Sequence, residues 1–429
     1  MSAGMTMAEQ VLARASGRDH VAPGDYLTAQ IDVAMCHEAF TWCARQLLDL
    51  GIGELWDPDR VIVILDHSFP PATERMALGH VAARRFVEQF GVGTFLGHAG
   101  ICHQVLVERG LVRPGQLVLG TDSHSCTYGA VGAAGAGIGL TEMTYVLATG
   151  ELWMRVPETI RFVLGGTPVP GTMSKDVVLF LAGRYGTDVA QYGSIEYTGS
   201  LAERMSIASR LTMANMGVEL GAKFAFFAAD DRTSDFYETA CGTRVESFGP
   251  DPDAVCARVL SEDLDGLGPQ VALPSNPGNV RPIEEVERVR IDQAFLGSCT
   301  NARLEDLAVA AGILAGHHVH PRTRLIVTPA SQQVALDATR AGYVETLLAA
   351  GAFMTAPGCG ACPGGHSGVL GPGEVCVSST NRNFPGRMGS AQAQVYLASP
   401  ATVAASAIAG HLTDPRELWS VEAASAVTW

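Results

Sequence analysis

Cys299, Cys359 and Cys362 sit in FLGSCTNARLEDL and APGCGACPGGHSG, two segments rich in glycine and small residues. A Cys-x-x-Cys pair between glycines, joined by a third cysteine in another Gly/Ser/Asn-rich turn, points to thiolates gathered round a metal centre. Structural zinc usually takes four protein ligands. Three thiolates on a cubane cluster would leave one iron open to bind and activate a substrate. Two alternatives stand beside that reading. One is zinc with Cys376 as fourth ligand, although GEVCVSST places Cys376 on a strand between Val375 and Val377, pointing away from both, with no glycine to free the backbone around it. The other is an unligated Cys-x-x-Cys redox pair.

Three histidines lie beside groups that support proton chemistry. Asp66-His67 and Asp122-Ser123-His124 end apolar strands, and His103 precedes a helix in GICHQVLVERG. An imidazole held by a carboxylate is fixed in one tautomer and tuned for acid or base work near neutral pH. In SRLTMANMGVELGAKFAF, helical periodicity puts Leu211, Ala214, Val218 and Ala222 on one apolar face and Asn215 and Glu219 together beside it. The polar turn STNRNFPGRMGS offers Asn381, Arg382 and Arg387. Guanidinium forks recognise carboxylates bidentately, which suits a di- or tricarboxylic acid. GTDSHSCTYGAVGAAGAGIG lacks the G-x-G-x-x-G order and the acidic partner of a dinucleotide loop. Close backbone packing explains its glycines better.

The elements that must position these residues alternate. VIVILDHS, QLVLGTDS, IRFVLGG, RLIVTPA and GEVCVSST read as strands, while ATERMALGHVAARRFVEQF and SQQVALDATRAGYVETLLAAG carry apolar residues every three to four positions and read as helices. That pattern is α/β, with ligands expected beyond the carboxyl ends of the strands. The Pro/Gly-containing segment LGPQVALPSNPGNVRPIEE (267–285) reads as a linker, and a weaker break falls at Val156-Pro157. The expected units are therefore 1–157, 158–275 and 276–429, the last carrying all three cysteines.

At 429 residues, 47% hydrophobic and 17% charged, the chain has material for two or three cores. Its net charge of -15 works against nucleic acid and anionic membranes as partners. The first twenty residues show no signal-peptide pattern and no stretch approaches a membrane span, so a cytoplasmic protein is expected. Ten cysteines scattered over this length do not form a disulfide framework.

Taken together in their order, LDHS, GICHQ, GTDSHSCTYGAVGA, TMANMGVELGA, GSCTNARLEDL, PGCGACPGG and STNRNFPGR make the chain resemble the aconitase superfamily from about residue 20 to 415. The resemblance is closest to the large subunits of isopropylmalate dehydratases and homoaconitases. It implies a three-domain aconitase-like α/β/α core without the swivelling fourth domain. It implies a [4Fe-4S] cluster held by Cys299, Cys359 and Cys362, its fourth iron free of protein ligands and acting as a Lewis acid on a 2-hydroxy acid. Asp66 with His67, and Asp122 with His103, are implied as the proton-moving pairs, with His124 and Glu219 as a further pair. Ser123, Arg382 and Arg387 are implied to bind substrate, and Asn215 and Asn381 to lie beside the cluster.

The swivelling domain of single-chain aconitases, which supplies the proton-abstracting base, has no counterpart before the chain stops at Trp429. A separate small subunit is the expected partner. Where true aconitases have a Gln-Asp pair that contacts citrate, this chain has Cys36-His37-Glu38, followed by Ala39-Phe40-Thr41 in place of the usual continuation. That disfavours citrate and leaves isopropylmalate, a homoaconitase substrate or a specialised 2-hydroxy acid of a secondary pathway. An apo-protein that binds RNA is the alternative from another class, and the charge argues against it. The intact Asp, His, Glu and Arg set argues against a catalytically dead relative.

Overall fold

The structure, a computed structural model, describes residues 4–419 and 421–426. Three mainly parallel sheets organise it. The first runs in the order Thr94–Phe95, Val61–Val63, Val33–Cys36, Leu117–Gly120, Ala134–Gly137, all parallel. Its central strands are short apolar runs buried on both faces, as a parallel sheet covered by helices requires. Strand order reverses beside Val33–Cys36, so a crevice opens beyond the carboxyl ends of this strand and its neighbours. Into it lead His37 and Glu38 from one strand, Asp66 and His67 from the next, and Asp122 and Ser123 from the third.

The second sheet orders Phe224–Phe226, Ser194–Thr198, Thr159–Gly165 and Arg258–Asp263, again parallel. In the third, Gln394–Leu397, Val375–Ser378, Gln293–Leu296, Arg324–Val327 and Phe353–Met354 are parallel. Here the order reverses between Gln293–Leu296 and Val375–Ser378. The first of these strands runs into Gly297-Ser298-Cys299, the second into Ser379-Thr380-Asn381-Arg382. Two reversal points therefore bring the histidine-bearing loops and the cysteine-bearing loops to one place. A two-stranded antiparallel ribbon, Tyr26–Gln30 with Glu151–Arg155, stands apart from the sheets.

Two sequence expectations need correction. The segment 267–285 is more than a linker: Gln270–Ala272 and Val280–Pro282 extend the third sheet antiparallel at its edge. Pro282 is tolerated there because an outermost strand needs no outward N–H, and strands this short show no periodicity. SQQVALDATRAGYVETLLAAG forms two helices, Gln332–Arg340 and Tyr343–Ala349, separated at Gly342, whose φ of 80° ends the first. The helix Glu74–Phe90 forms as read, capped by Thr73 and stopped by Gly91. Glycines of the 120–139 segment do serve close packing. A Cβ on Gly129 would stand 1.8 Å from the carbonyl oxygen of Ala225, and one on Gly135 2.0 Å from that of Ser125. No helix among the described residues is long and apolar enough to cross a membrane.

Candidate active site and metal centre

Cys299 lies in a turn whose backbone is unusual: Ser298 and Ala302 take φ values of 90° and 76°. Non-glycine residues in that region cost on the order of 1–3 kcal/mol and persist only where surrounding structure holds them. The holding groups are visible. Ser379 Oγ accepts from Gly297 N (3.0 Å) and donates to Gly297 O (3.1 Å), and buried Arg303 donates to the carbonyls of Cys299 (2.7 Å) and Thr300 (2.6 Å). Cys359 is seated by its N–H on the carbonyl of Asp66 (3.0 Å), and Cys362 N donates to Cys359 O (3.2 Å).

The three cysteines line one small cavity with His67, His103, Asp122, His124, Asn381 and Arg387. Donors are aimed at sulfur: Asn381 Nδ2 reaches Cys299 Sγ at 3.2 Å, and Arg387 Nη2 lies 3.6 Å from Cys362 Sγ. The Nε of Arg387 is buried with no hydrogen-bond partner among the described residues. Burial pushes the Cys299 thiol up to about 11 and Cys359 well above its ordinary value. Both would stay protonated unless a cation offset the charge, and metal ligation does that. Three soft donors, N–H groups facing sulfur and an unpartnered guanidinium nitrogen fit an iron–sulfur cluster. Cys102 also lines the cavity and is fully buried at the start of the helix Cys102–Glu108, where its backbone N–H donates to Asp66 Oδ2 at 2.8 Å. Cys376, the rival fourth ligand, is buried in the strand Val375–Ser378, outside the residues that line the cavity.

Beside the cysteines runs a chain of carboxylates and imidazoles. His67 Nδ1 donates to Asp66 Oδ1 (2.7 Å) and Nε2 to Asp122 Oδ2 (3.2 Å). His103 Nε2 donates to Asp122 Oδ1 (2.7 Å), which also accepts the His124 N–H (2.7 Å). Burial opposes charge on His67, but Cys359, Asp66 and Asp122 outweigh it and raise its pKa well above the ordinary value. Burial likewise opposes ionisation of Asp122, yet the groups of His103, His124 and His67 hold it well below the usual carboxylate range. A carboxylate with this many donors is kept ionised.

A third group lies beyond His124. Glu219 Oε1 accepts from His124 Nε2 (3.0 Å) and from Arg382 Nε (2.6 Å). Its pKa is lowered, burial notwithstanding, by those two partners. Arg382 Nη1 donates to Ser123 Oγ at 3.0 Å. Asn215 joins the network behind: its Nδ2 donates to Thr127 Oγ1 (2.8 Å), and its Oδ1 accepts from Thr300 Oγ1 and Asn381 Nδ2, both at 3.1 Å.

All fourteen residues singled out in the sequence thus fall within one connected region, though Asn215 and Glu219 do so differently from expectation. The α-helix Ile207–Asn215 ends there and Met216–Leu220 is a 3-10 turn, so the two are not one helical stripe; both are buried and face the site. Sequence reasoning named Glu38 only as part of a departure from the citrate pattern and missed two further neighbours. Glu38 accepts the N–H of Ser68 at 2.8 Å, Arg303 clamps the Cys299 turn, and Lys175 lies beneath Ser379 and Thr380. Arg303 stood inside a segment already prized for Cys299, a usable signal. Lys175, in the Ser-Lys-Asp start of the helix Ser174–Tyr185, gave none.

Sheets whose reversal points converge on three cysteines and a carboxylate–imidazole chain define a site for acid–base chemistry beside an iron–sulfur centre. The family model described as "Aconitase family (aconitate hydratase)" matches residues 66–410, and the chain belongs to the aconitase family. The chain is 48% identical over 415 residues to the 3-isopropylmalate dehydratase large subunit 1 of Methanopyrus kandleri, covering 96% of this chain and 99% of that one. It is 43% identical over 419 residues to the probable methanogen homoaconitase large subunit of Methanothermobacter thermautotrophicus, covering 96% and 98%. Among solved structures, the holo-form of aconitase X from Thermococcus kodakaraensis is similar with a TM-score of 0.51 at 12% identity, covering 90% and 92%. That last likeness concerns the fold alone.

Proposed function

We propose that the chain is the large, cluster-holding subunit of a 3-isopropylmalate dehydratase, moving a hydroxyl between adjacent carbons of a substituted malate by dehydration and rehydration. In this reading Cys299, Cys359 and Cys362 hold a [4Fe-4S] cluster with one iron free of protein ligands. The observation that carries it is the shared cavity of the three cysteines with His67, His103, Asp122 and Arg387. When bound, the cluster supplies a Lewis acid that makes hydroxide a better leaving group.

The chain's own residues do the rest. Arg382 and Ser123 present N–H and O–H groups to a substrate carboxylate, and Arg387 offers a second anchor at the cysteine side. His67, held between Asp66 and Asp122, carries the proton that accompanies the departing hydroxyl and takes it back on rehydration. His103 fixes Asp122 from the other face. Glu219, bonded to His124 and Arg382, keeps both oriented. Asn215 and Asn381 hold the cysteine loops in register. The proton on the neighbouring carbon needs a base from elsewhere, and the names of the relatives, all large subunits, support a small subunit as its source. We place the enzyme in the cytoplasm, in keeping with ten free thiols. The domains we propose are those expected from the sequence, with the second boundary moved ahead of Gln270 because that strand pairs into the third sheet.

The homoaconitase reading is kept by the 43% identical relative. The test is anaerobic reconstitution with iron and sulfide, mixing with a small subunit, and ultraviolet detection of the unsaturated acid from 2-isopropylmalate and from a homologous tricarboxylic 2-hydroxy acid. Turnover of the first alone supports the dehydratase; turnover of the second alone replaces it with homoaconitase; cluster assembly without either overturns both.

A further inference from the structure

Lys175 is fully buried, and its Nζ donates to the carbonyls of Ser379 and Thr380, both at 2.7 Å. It comes from the helix Ser174–Tyr185, whereas the two carbonyls belong to the loop that leaves the third sheet and continues as Asn381 and Arg382. That loop is tied to the cysteine turn twice: Ser379 is bonded reciprocally to Gly297, and Asn381 Nδ2 donates to Cys299 Sγ. One ammonium therefore backs the loop that touches both the sulfur and, through Arg382, the carboxylate-binding side.

The neighbouring acid Asp176 faces this amine, but burial draws its own carboxyl up to about 7. The adjacent Asp176 uses its carboxylate to accept the N–H groups of Met173 (2.7 Å) and Gln270 (2.8 Å). Burial draws the Lys175 amine down to about 7, and the negative groups that act against this are Asp176, Asp306, Cys299 and Cys362. Two of those four are proposed cluster ligands. A buried charge is retained only when something offsets its desolvation. Three thiolates on an iron–sulfur core carry net negative charge, and the loop whose carbonyls hold Lys175 Nζ is the one bonded to Cys299 Sγ through Asn381.

We propose that Lys175 is a positioning residue for the cluster: its ammonium offsets the negative charge of the cysteine-held centre from behind while clamping the Ser379–Arg382 loop against it. The inference rests on the assignment of Cys299, Cys359 and Cys362 as cluster ligands. Neither the matched family description nor the relatives' names assign this lysine a role.

The experiment reconstitutes the full chain, with its small subunit, as parent, Lys175→Met and Lys175→Gln. Iron release to a chelator and the midpoint potential of the cluster are measured. Methionine removes both bonds and the charge; glutamine keeps one donor without the charge, which preserves a folded comparison if the methionine variant fails to fold. The expected result is release about 10-fold faster in both, equivalent to about 1.4 kcal/mol, and a lower potential, because a cation near the centre favours the reduced state. A brace without electrostatic action would speed release and leave the potential unmoved, and that result overturns the charge role. Parental release and potential in the glutamine variant overturn the inference as a whole. A parent that assembles no cluster instead removes the assignment on which it rests.

Discussion

Glu219 Oε1 lies 2.6 Å from Arg382 Nε although 163 residues separate them in the chain. The glutamate follows the helix Ile207–Asn215, and the arginine follows a strand of the third sheet. Their pairing adjoins the cavity through His124, whose Nε2 donates to Glu219, and leaves Nη1 of the guanidinium at Ser123, 3.0 Å away.

Arg382→Lys keeps the charge and loses the fork. A hydrogen bond to a charged group contributes about 1.5–3 kcal/mol, so the expected outcome is a KM raised by about 10- to 150-fold with a smaller change in kcat. Steady-state kinetics on the reconstituted enzyme checks this. Equal losses in kcat and kcat/KM would instead place Arg382 in the transition state alone.

Asp122 and Glu219 both hold their protons less readily folded than unfolded. Their contribution is therefore fully present above the ordinary values of 3.8 and 4.5 and is lost as pH falls through their lower folded values. Thermal unfolding followed from about pH 6 to pH 3 should show a steep acid loss. Asp122→Asn removes the charge and replaces one of the two acceptor oxygens by a donor, so that either His67 or His103 loses its acceptor, and breaking a buried pair costs about 3–5 kcal/mol. The variant should melt earlier at neutral pH and show a flatter acid limb. An unchanged limb would mean other carboxylates dominate it.

Cys362→Ser and Cys376→Ser separate the cluster reading from its zinc rival. Cys376 is buried in a strand and its Sγ faces its own backbone, 3.5 Å from Val377 O. Its variant should keep the iron content and visible absorbance of the parent, while Cys362→Ser should lose most of both. Iron and sulfide analysis with electron paramagnetic resonance reads the difference.

Gly129→Ala tests the packing that holds the Asp122–His124 turn. The added methyl would meet the Ala225 carbonyl at 1.8 Å, a backbone atom that has no side-chain rotation with which to yield. Overpacking of this kind costs about 1–3 kcal/mol. Chemical denaturation should show that loss with an unchanged m-value, and a neutral result would mean the strand Phe224–Phe226 shifts freely.

The chemistry of this site was legible because it resides in residue types at short spacing: Cys359 and Cys362, Asp66 and His67, Asp122 and His124. Their joining was not, since His67 and Asp122 are 55 residues apart and still bond at 3.2 Å. Only the reversal of strand order in each sheet makes such neighbours, and periodicity says which segments are strands without giving their order. The short strands at 270–272 and 280–282, the second of them outermost, escaped for a different reason. Three residues with a proline carry too little pattern, and edge pairing accepts proline that a central strand would refuse. Lys175 was hidden by its context: a lysine at a helix start is normally solvated, and nothing local marks one whose partners are carbonyls 204 and 205 residues away.

His67 combines two roles that a single substitution can separate. Its Nδ1 and Nε2 both face carboxylates, at 2.7 Å and 3.2 Å, so the imidazolium form satisfies both and the ring can give up and regain a proton. Asp66, His67 and Cys359 also offer atoms close enough together to hold a metal ion, which makes ligation the competing role. Under the proton-carrying role, His67→Gln should retain the parent's iron, sulfide and resonance spectrum and lose about 10²–10⁴ in kcat, the usual weight of a general acid–base group. The acid–base profile of kcat should flatten in the same variant, because the group that titrates has gone. Were His67 a ligand, the spectrum would change before any kinetics were measured, and the assignment of three cysteines as the full protein ligand set would have to be enlarged.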